Sequence, residues 1–321
     1  MQALRRNIPF LATVTVCALL YVSAAIRFDN FASLRVFINF FTDNSFLGVA
    51  ALGLTFVILS GGIDLSVGAV IGFVSVFLAL SLEKWNLPAP VAFPLVLGVG
   101  ALFGTGMGAL IHFFSLPPFL VTLGGMFFAR GVTQMMSLES LPITKAVDRM
   151  STALTLPMGE LELPATAILF LALFVIAIIV AHFTRFGRNV YAIGGNEVSA
   201  TLMGLPVART KIGVYALSGF FSALAGIIYC LYTQSGNPNA GAGLELDAIA
   251  AVVIGGTLLS GGVGLVTGTL VGVLIFGIIQ TAINFEGTLS SWWTKIVIGT
   301  LLLGFILLQK LIQGKKFKTA K

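Results

Sequence analysis

Three carboxylates stand in or beside long apolar runs. Asp64 lies between two such runs, and Glu245 and Asp247 lead into Ala248-Ile249-Ala250-Ala251-Val252-Val253-Ile254-Gly255-Gly256. An ionisable group next to hydrocarbon is costly to hold, which makes each a candidate for an ion or solute path. The same positions also suit helix N-termini, where a carboxylate meets unpaired N–H groups: Asp64 precedes the run beginning at Leu65, and Asp247 the run beginning at Ala248. Both readings stand for these acids, and for Arg130 inside an apolar run of its own. A second polar group is Gln280 and Asn284, one helical turn apart, followed by Trp292 and Trp293. Amides and aromatic rings are what a sugar site uses, through hydroxyl hydrogen bonds and ring stacking. The two tryptophans also fit a membrane interface, where indole is enriched.

Glycine pairs interrupt two apolar runs. Leu59-Ser60-Gly61-Gly62-Ile63-Asp64-Leu65-Ser66-Val67-Gly68 recurs as Leu259-Ser260-Gly261-Gly262-Val263-Gly264-Leu265-Val266-Thr267-Gly268, and Gly72 and Gly272 continue the match. An internal duplication of this kind is common in transporters. Glycine lets a helix end sharply or two backbones touch. Irregular backbone at membrane depth is tolerated where protein or a watery cavity surrounds it. Gly61, Gly62, Gly261 and Gly262 therefore join Asp64, Glu245, Asp247, Gln280 and Asn284 as candidates for a translocation path or gate. Close helix packing without a solute role is the alternative.

The stretch 184–206 reads as a short helix with its punctuation written out. Asn196 can cap its start, Glu197 sits in the first turn, Gly204 can take a left-handed stop and Pro206 blocks continuation. On that helix Val198, Thr201, Leu202 and Leu205 would share one face. A two-turn amphipathic helix outside a bilayer is not stable alone, so it requires a partner surface, either the chain's own helices or another protein.

Other chemistry is missing. There is no GxxxxGK[ST] phosphate loop, no GxSxG and no paired zinc-ligand pattern. His112 and His182 stand alone, and Cys17 and Cys230 lie in apolar runs as free thiols. The residues point to no enzyme, no metal and no cofactor.

The elements that must position these groups are membrane helices. The 321 residues are 57% hydrophobic with a mean hydropathy of +1.03, and only 9% are charged. Soluble domains carry about 25% charged residues, so lipid must be the solvent for most of this chain. About ten apolar segments recur, at roughly 8–26, 45–60, 65–82, 90–114, 118–137, 163–182, 212–232, 246–259, 264–285 and 292–310. Each approaches the roughly 20 residues that cross a bilayer as helix, although 246–259 is short and need not span fully. The expected fold class is an all-α, polytopic transmembrane bundle of about ten helices in one domain, 1–321, with repeat halves about 45–137 and 212–310.

The net charge of +6 is gathered in clusters: Arg5 and Arg6, Arg185 and Arg188, Arg209 and Lys211, and Lys315, Lys316, Lys318 and Lys321. That pattern orients a membrane protein and does not resemble a nucleic-acid face. It places both termini and the loop 184–211 in the cytoplasm, which an even number of crossings satisfies. The loop 138–163 then faces outward, carrying Glu139, Asp148, Glu160 and Glu162 against Lys145 and Arg149. Arg27 and Arg35 also fall outside, offset by Asp29 and Asp43. The first apolar stretch is longer than a signal-peptide core and is expected to stay as an uncleaved span.

With these residues in view, the chain resembles the permeases of ribose-type, or monosaccharide, ABC importers over nearly its whole length. The resemblance is strongest at 59–68, 185–204 and 245–264. The segments 46–68, 245–264 and 287–295 look especially close to a permease subunit of bacterial galactofuranose importers. The resemblance implies a ten-helix inner-membrane permease that works with a second permease, an ATP-binding ABC subunit and a periplasmic sugar-binding protein. It assigns 196–204 as the coupling helix, with Arg188, Asn196, Glu197, Ala200 and Gly204 in the ATPase-coupling loop. The spacing Glu197, Ala200, Gly204 departs from the EAA…G form of other ABC permeases, which leaves individual contacts open. It favours a different chain as second permease over another copy. An ion-gradient-driven carrier using Asp64, Glu245 or Asp247 is the alternative function, and a membrane scaffold a third.

Overall fold

A computed structural model describes residues 8–143, 155–158, 161–290 and 292–318. Arg5, Arg6, Lys145, Asp148, Arg149, Glu160 and Lys321, used above for orientation, lie outside the described residues. The described helices are α1 (Ile8–Arg27), α2 (Leu34–Asp43), α3 (Ser45–Leu59), α4 (Val67–Ala79, prolonged by a π turn, Leu80–Lys84), α5 (Ala89–Phe113), α6 (Pro118–Met136), α7 (Ala165–Phe183), α8 (Arg185–Gly195), α9 (Glu197–Leu202), α10 (Val207–Thr233), α11 (Leu244–Ile254), α12 (Val266–Glu286) and α13 (Trp292–Lys318). Among the described residues, four short strands pair as two ribbons: β1 (Leu141–Pro142) with β4 (Ser235–Gly236), and β2 (Thr155–Met158) with β3 (Leu161–Pro164).

Among the described residues, seven helices are long and apolar enough to cross a membrane: α1, α4 with its π turn, α5, α7, α10, α12 and α13. The pair α2 and α3, bent by 53° at Asn44, makes an eighth. This is a polytopic helical membrane protein; of the roughly ten expected segments, 118–137 is not apolar enough to count as a span, and 246–259 is short, as expected. Helix α6 has the length, yet it carries Arg130, Thr133 and Gln134. Helix α11 has 11 residues, which rise about 16 Å, roughly half of a 30 Å hydrocarbon core. Helix α2 is an addition. Its Arg35, Asn39, Thr42 and Asp43 break the apolar run that the sequence reading required.

Helix α3 is apolar on every side, and a helix of that kind must be buried. It buries every residue except Phe46 beneath α7, α10, α11 and α12. The tightest pairing, α5 with α10, follows from Gly100, Gly104 and Gly108 at every fourth position. A Cβ on Gly104 would meet the Tyr215 carbonyl oxygen, and one on Gly219 the Gly100 carbonyl oxygen. In lipid, helices associate through such close backbone packing, because burying apolar surface gains little there.

The segment between β4 and α11 runs back along α4. Gly236 lies against Ser75 and Ala79, Ala240 against Gly72, and Gly241 against Gly68. This pass is therefore a chain of turns followed by a half-length helix. Side-chain and backbone contacts sort the ends of the passes onto two faces. Arg27 meets Glu286 and Tyr232 meets Asp43 on one face. On the other, Leu59 meets Gly262, Thr122 meets Ile63 and Tyr191 meets Gly264.

Candidate functional site

The second face gathers most of the sequence candidates. Thr184 accepts from the Gly187 N–H at 3.2 Å and starts α8; Asn196 Oδ1 accepts from the Ser199 N–H at 2.8 Å and starts α9. Gly204 has φ +73°, the left-handed stop that the sequence calls for, and Pro206 opens α10. The α8–α9 pair is thus a bent arm with a single residue, Asn196, at its elbow. Ala200 is fully buried against Ile193 and Val207, and Lys211 Nζ donates to Glu197 Oε1 at 2.7 Å, tying the arm to α10. Arg188 points away from the core and is exposed.

Val198, Leu202 and Met203 are 70%, 83% and 68% exposed. The chain's own helices do not cover this face. The expected grouping of Leu205 with Val198 and Leu202 is corrected: Leu205 lies past the Gly204 stop and packs on the Ile193–Ala200–Val207 cluster. It could not share the face because the helix has already ended.

The two glycine-paired loops, 60–66 after α3 and 255–265 after α11, come together beneath this arm. The Gly262 N–H donates to the Leu59 carbonyl at 2.9 Å. Gly61 and Gly261 have nearly the same φ, +83° and +82°, and Gly262 has +72°. These are values at which any side chain is strained. Between the helices that flank the loops, Thr55 and Thr269 hydroxyls bond at 2.8 Å.

The acids separate into three environments. Asp64 is fully buried: Oδ1 accepts from the Ser66 N–H (2.9 Å) and hydroxyl (2.6 Å), and Oδ2 from the Ser218 hydroxyl (2.7 Å). It holds the turn into α4. Asp247 lies inside α11, whose N-cap is Gly243, so the reading of Asp247 as the cap before Ala248 is corrected; its carboxylate pairs with Lys295 on α13. Glu245 is in the first turn of α11, half-buried beside Gly68, and its Oε2 is buried without a hydrogen-bond partner. Gln280 and Asn284 are exposed on α12, near the first face and away from the glycine loops.

The sequence reading left the role of Arg130 open. Its Nη1 donates to the Pro238 and Ala240 carbonyls, both at 2.8 Å, and so pins the turns between β4 and α11 against α4 at Gly72. Tyr191 and Tyr215 were not singled out at all. Tyr191 donates to the Gly264 carbonyl at 3.0 Å, while buried Tyr215 lies against Gly62. A tyrosine flanked by glycine-rich segments was the available signal.

The sequence matches the family described as "Branched-chain amino acid transport system / permease component" over residues 36–306. Among similar proteins, the inner membrane ABC transporter permease protein YjfF of Escherichia coli is 55% identical, over 96% of this chain and 93% of its own length. The fructose import permease protein FruG of Bifidobacterium longum is 37% identical, over 97% and 93%. The ribose import permease protein RbsC of Haemophilus influenzae is 37% identical, over 93% of both chains. No solved structure matches the chain.

Proposed function

The chain belongs to the branched-chain amino acid transport system / permease component family, and from that membership we propose that it is the permease subunit of an ATP-driven monosaccharide importer of a bacterial inner membrane. It performs no bond chemistry; ATP is hydrolysed by a partner. The names of its relatives as fructose and ribose import permeases support a sugar as the solute. Galactofuranose is the sugar to which the sequence resemblance points, ahead of other hexoses and pentoses.

The observation that carries this reading is the uncovered apolar face of α9. Val198, Leu202 and Met203 project from a capped, six-residue helix outside the long spans, with basic Arg185, Arg188 and Arg209 nearby in sequence. Exposed apolar patches mark protein or membrane contacts, and the place of this one outside the long spans favours a protein. We assign it to the groove of an ATP-binding subunit, which places α8, α9 and both chain ends in the cytoplasm. A second, different permease and a periplasmic sugar-binding protein complete the assembly. The glycine loops, with the repeat halves that bear them, would rock to alternate access. Glu245, Asp247, Gln280 and Asn284 remain the candidates for the path, whereas Asp64 supports the loop from within.

The test is Val198→Asp combined with Leu202→Asp. Both side chains are exposed, so insertion and folding should persist while the ATP-binding subunit no longer co-purifies and ATP-driven sugar uptake is lost. Uptake and assembly that survive the double substitution would sink the assignment.

A further inference from the structure

Resting on the docking role of α9, we infer that Gly194, at the end of α8, is the point through which motion of the docked arm reaches both glycine loops. Three main-chain segments converge there without intervening side chains. A Cβ on Gly194 would fall on the Leu59 carbonyl oxygen and within 2.6 Å of the Gly262 nitrogen. A Cβ on Gly261 would lie 2.7 Å from the Gly61 nitrogen and 3.0 Å from the Gly194 carbonyl oxygen. The end of α8 thus touches the loop after α3 and the loop after α11 at once, at the place where those loops bond through Gly262 and Leu59.

The arm is held to this junction on one further side. Tyr191, one turn before Gly194, donates to the Gly264 carbonyl. The first loop has anchors of its own on α10, through Ser218 to Asp64 and Tyr215 to the Ile63 carbonyl. Displacement of α8 therefore acts on the second loop through a hydrogen bond and on the contact between loops through packed backbone. Close-packed contacts transmit displacement because they have no slack to absorb it. Gly194 is a positioning residue in this scheme and touches no solute.

The experiment uses the full complex purified from native membranes, with Cys17 and Cys230 replaced by alanine and a reporter, Ser260→Cys, in the exposed part of the second loop. Maleimide labelling of the reporter is compared with and without ATP plus vanadate. With Gly194 intact, the two rates differ. Gly194→Ala is expected to abolish that difference while the ATP-binding subunit co-purifies in unchanged ratio. Gly106→Ala, at a helix glycine with open space around it, should keep the difference. Tyr191→Phe, which preserves ring packing, should diminish it, and this variant decides the question if Gly194→Ala does not fold. A Gly194→Ala complex that still shows the full ATP-dependent difference overturns the inference, as does an undiminished difference in Tyr191→Phe. Absence of any ATP-binding subunit from the unsubstituted complex overturns the docking assignment itself, and this inference with it.

Discussion

Ser218 on α10 donates its hydroxyl to Asp64 at 2.7 Å, joining a membrane helix to a carboxylate 154 residues earlier in the chain. The pair locks the first glycine loop to the helix that follows the α8–α9 arm. Asp64→Ala strands the Ser66 N–H and two hydroxyls, and each buried group left unpaired costs about 1–3 kcal/mol. Ser218→Ala removes one donor of three and leaves one carboxylate oxygen unpaired, which should cost about 1.5–3 kcal/mol. Thermal unfolding in detergent should rank Asp64→Ala well below Ser218→Ala. The reverse order would show that Asp64 does not organise the turn.

Arg130 holds the turns ahead of α11 through two carbonyls and lies near Glu245. Arg130→Met should cost about 1.5–3 kcal/mol per bond lost, because the donor is charged. It should also speed proteolysis of the stretch ahead of α11. Arg130→Lys should recover only part, since an ammonium lacks the planar fork that spans fixed acceptors. Equal melting of the Lys and Met variants would refute the two-carbonyl role.

The α5–α10 contact makes a paired prediction. Gly104→Leu drives a side chain into the Tyr215 backbone and should destabilise by about 1–3 kcal/mol or more. Gly106→Leu faces open space and should stay within about 0.5 kcal/mol of the parent. Yields of monodisperse protein after extraction would read the contrast.

Much of this arrangement was legible beforehand, for identifiable reasons. Hydropathy located the long spans within a few residues, because lipid enforces unbroken apolar helices. The punctuation at Asn196, Gly204 and Pro206 was readable because each residue type has its own backbone preference. Helix α2 escaped because it is short and half polar. The partners of Arg130 escaped because main-chain carbonyls leave no mark in a sequence. Whether Val198 and Leu202 were covered could not be read either, since an apolar face looks alike whether it packs inward or outward. The run Gly100, Gly104, Gly108 was visible and could have predicted the α5–α10 contact.

Burial pushes the Tyr191 phenol from 10.0 up to about 12. A proton held more tightly in the folded chain contributes stability that is fully present below pH 10 and is lost as the pH rises through about 12. The melting difference between the parent and Tyr191→Phe should therefore be flat between about pH 6 and 9 and shrink only above 10. A difference that already fell near neutrality would place the tyrosine outside its bond to Gly264.

The meeting of Gly61, Gly194, Gly261 and Gly262 involves main chain alone, and this constrains how such a transporter can diverge. A contact without side chains offers nothing to retune by gradual replacement, and it is blind to the identity of the cargo. New solute preferences would have to arise at other positions, whichever sugar such a transporter came to carry.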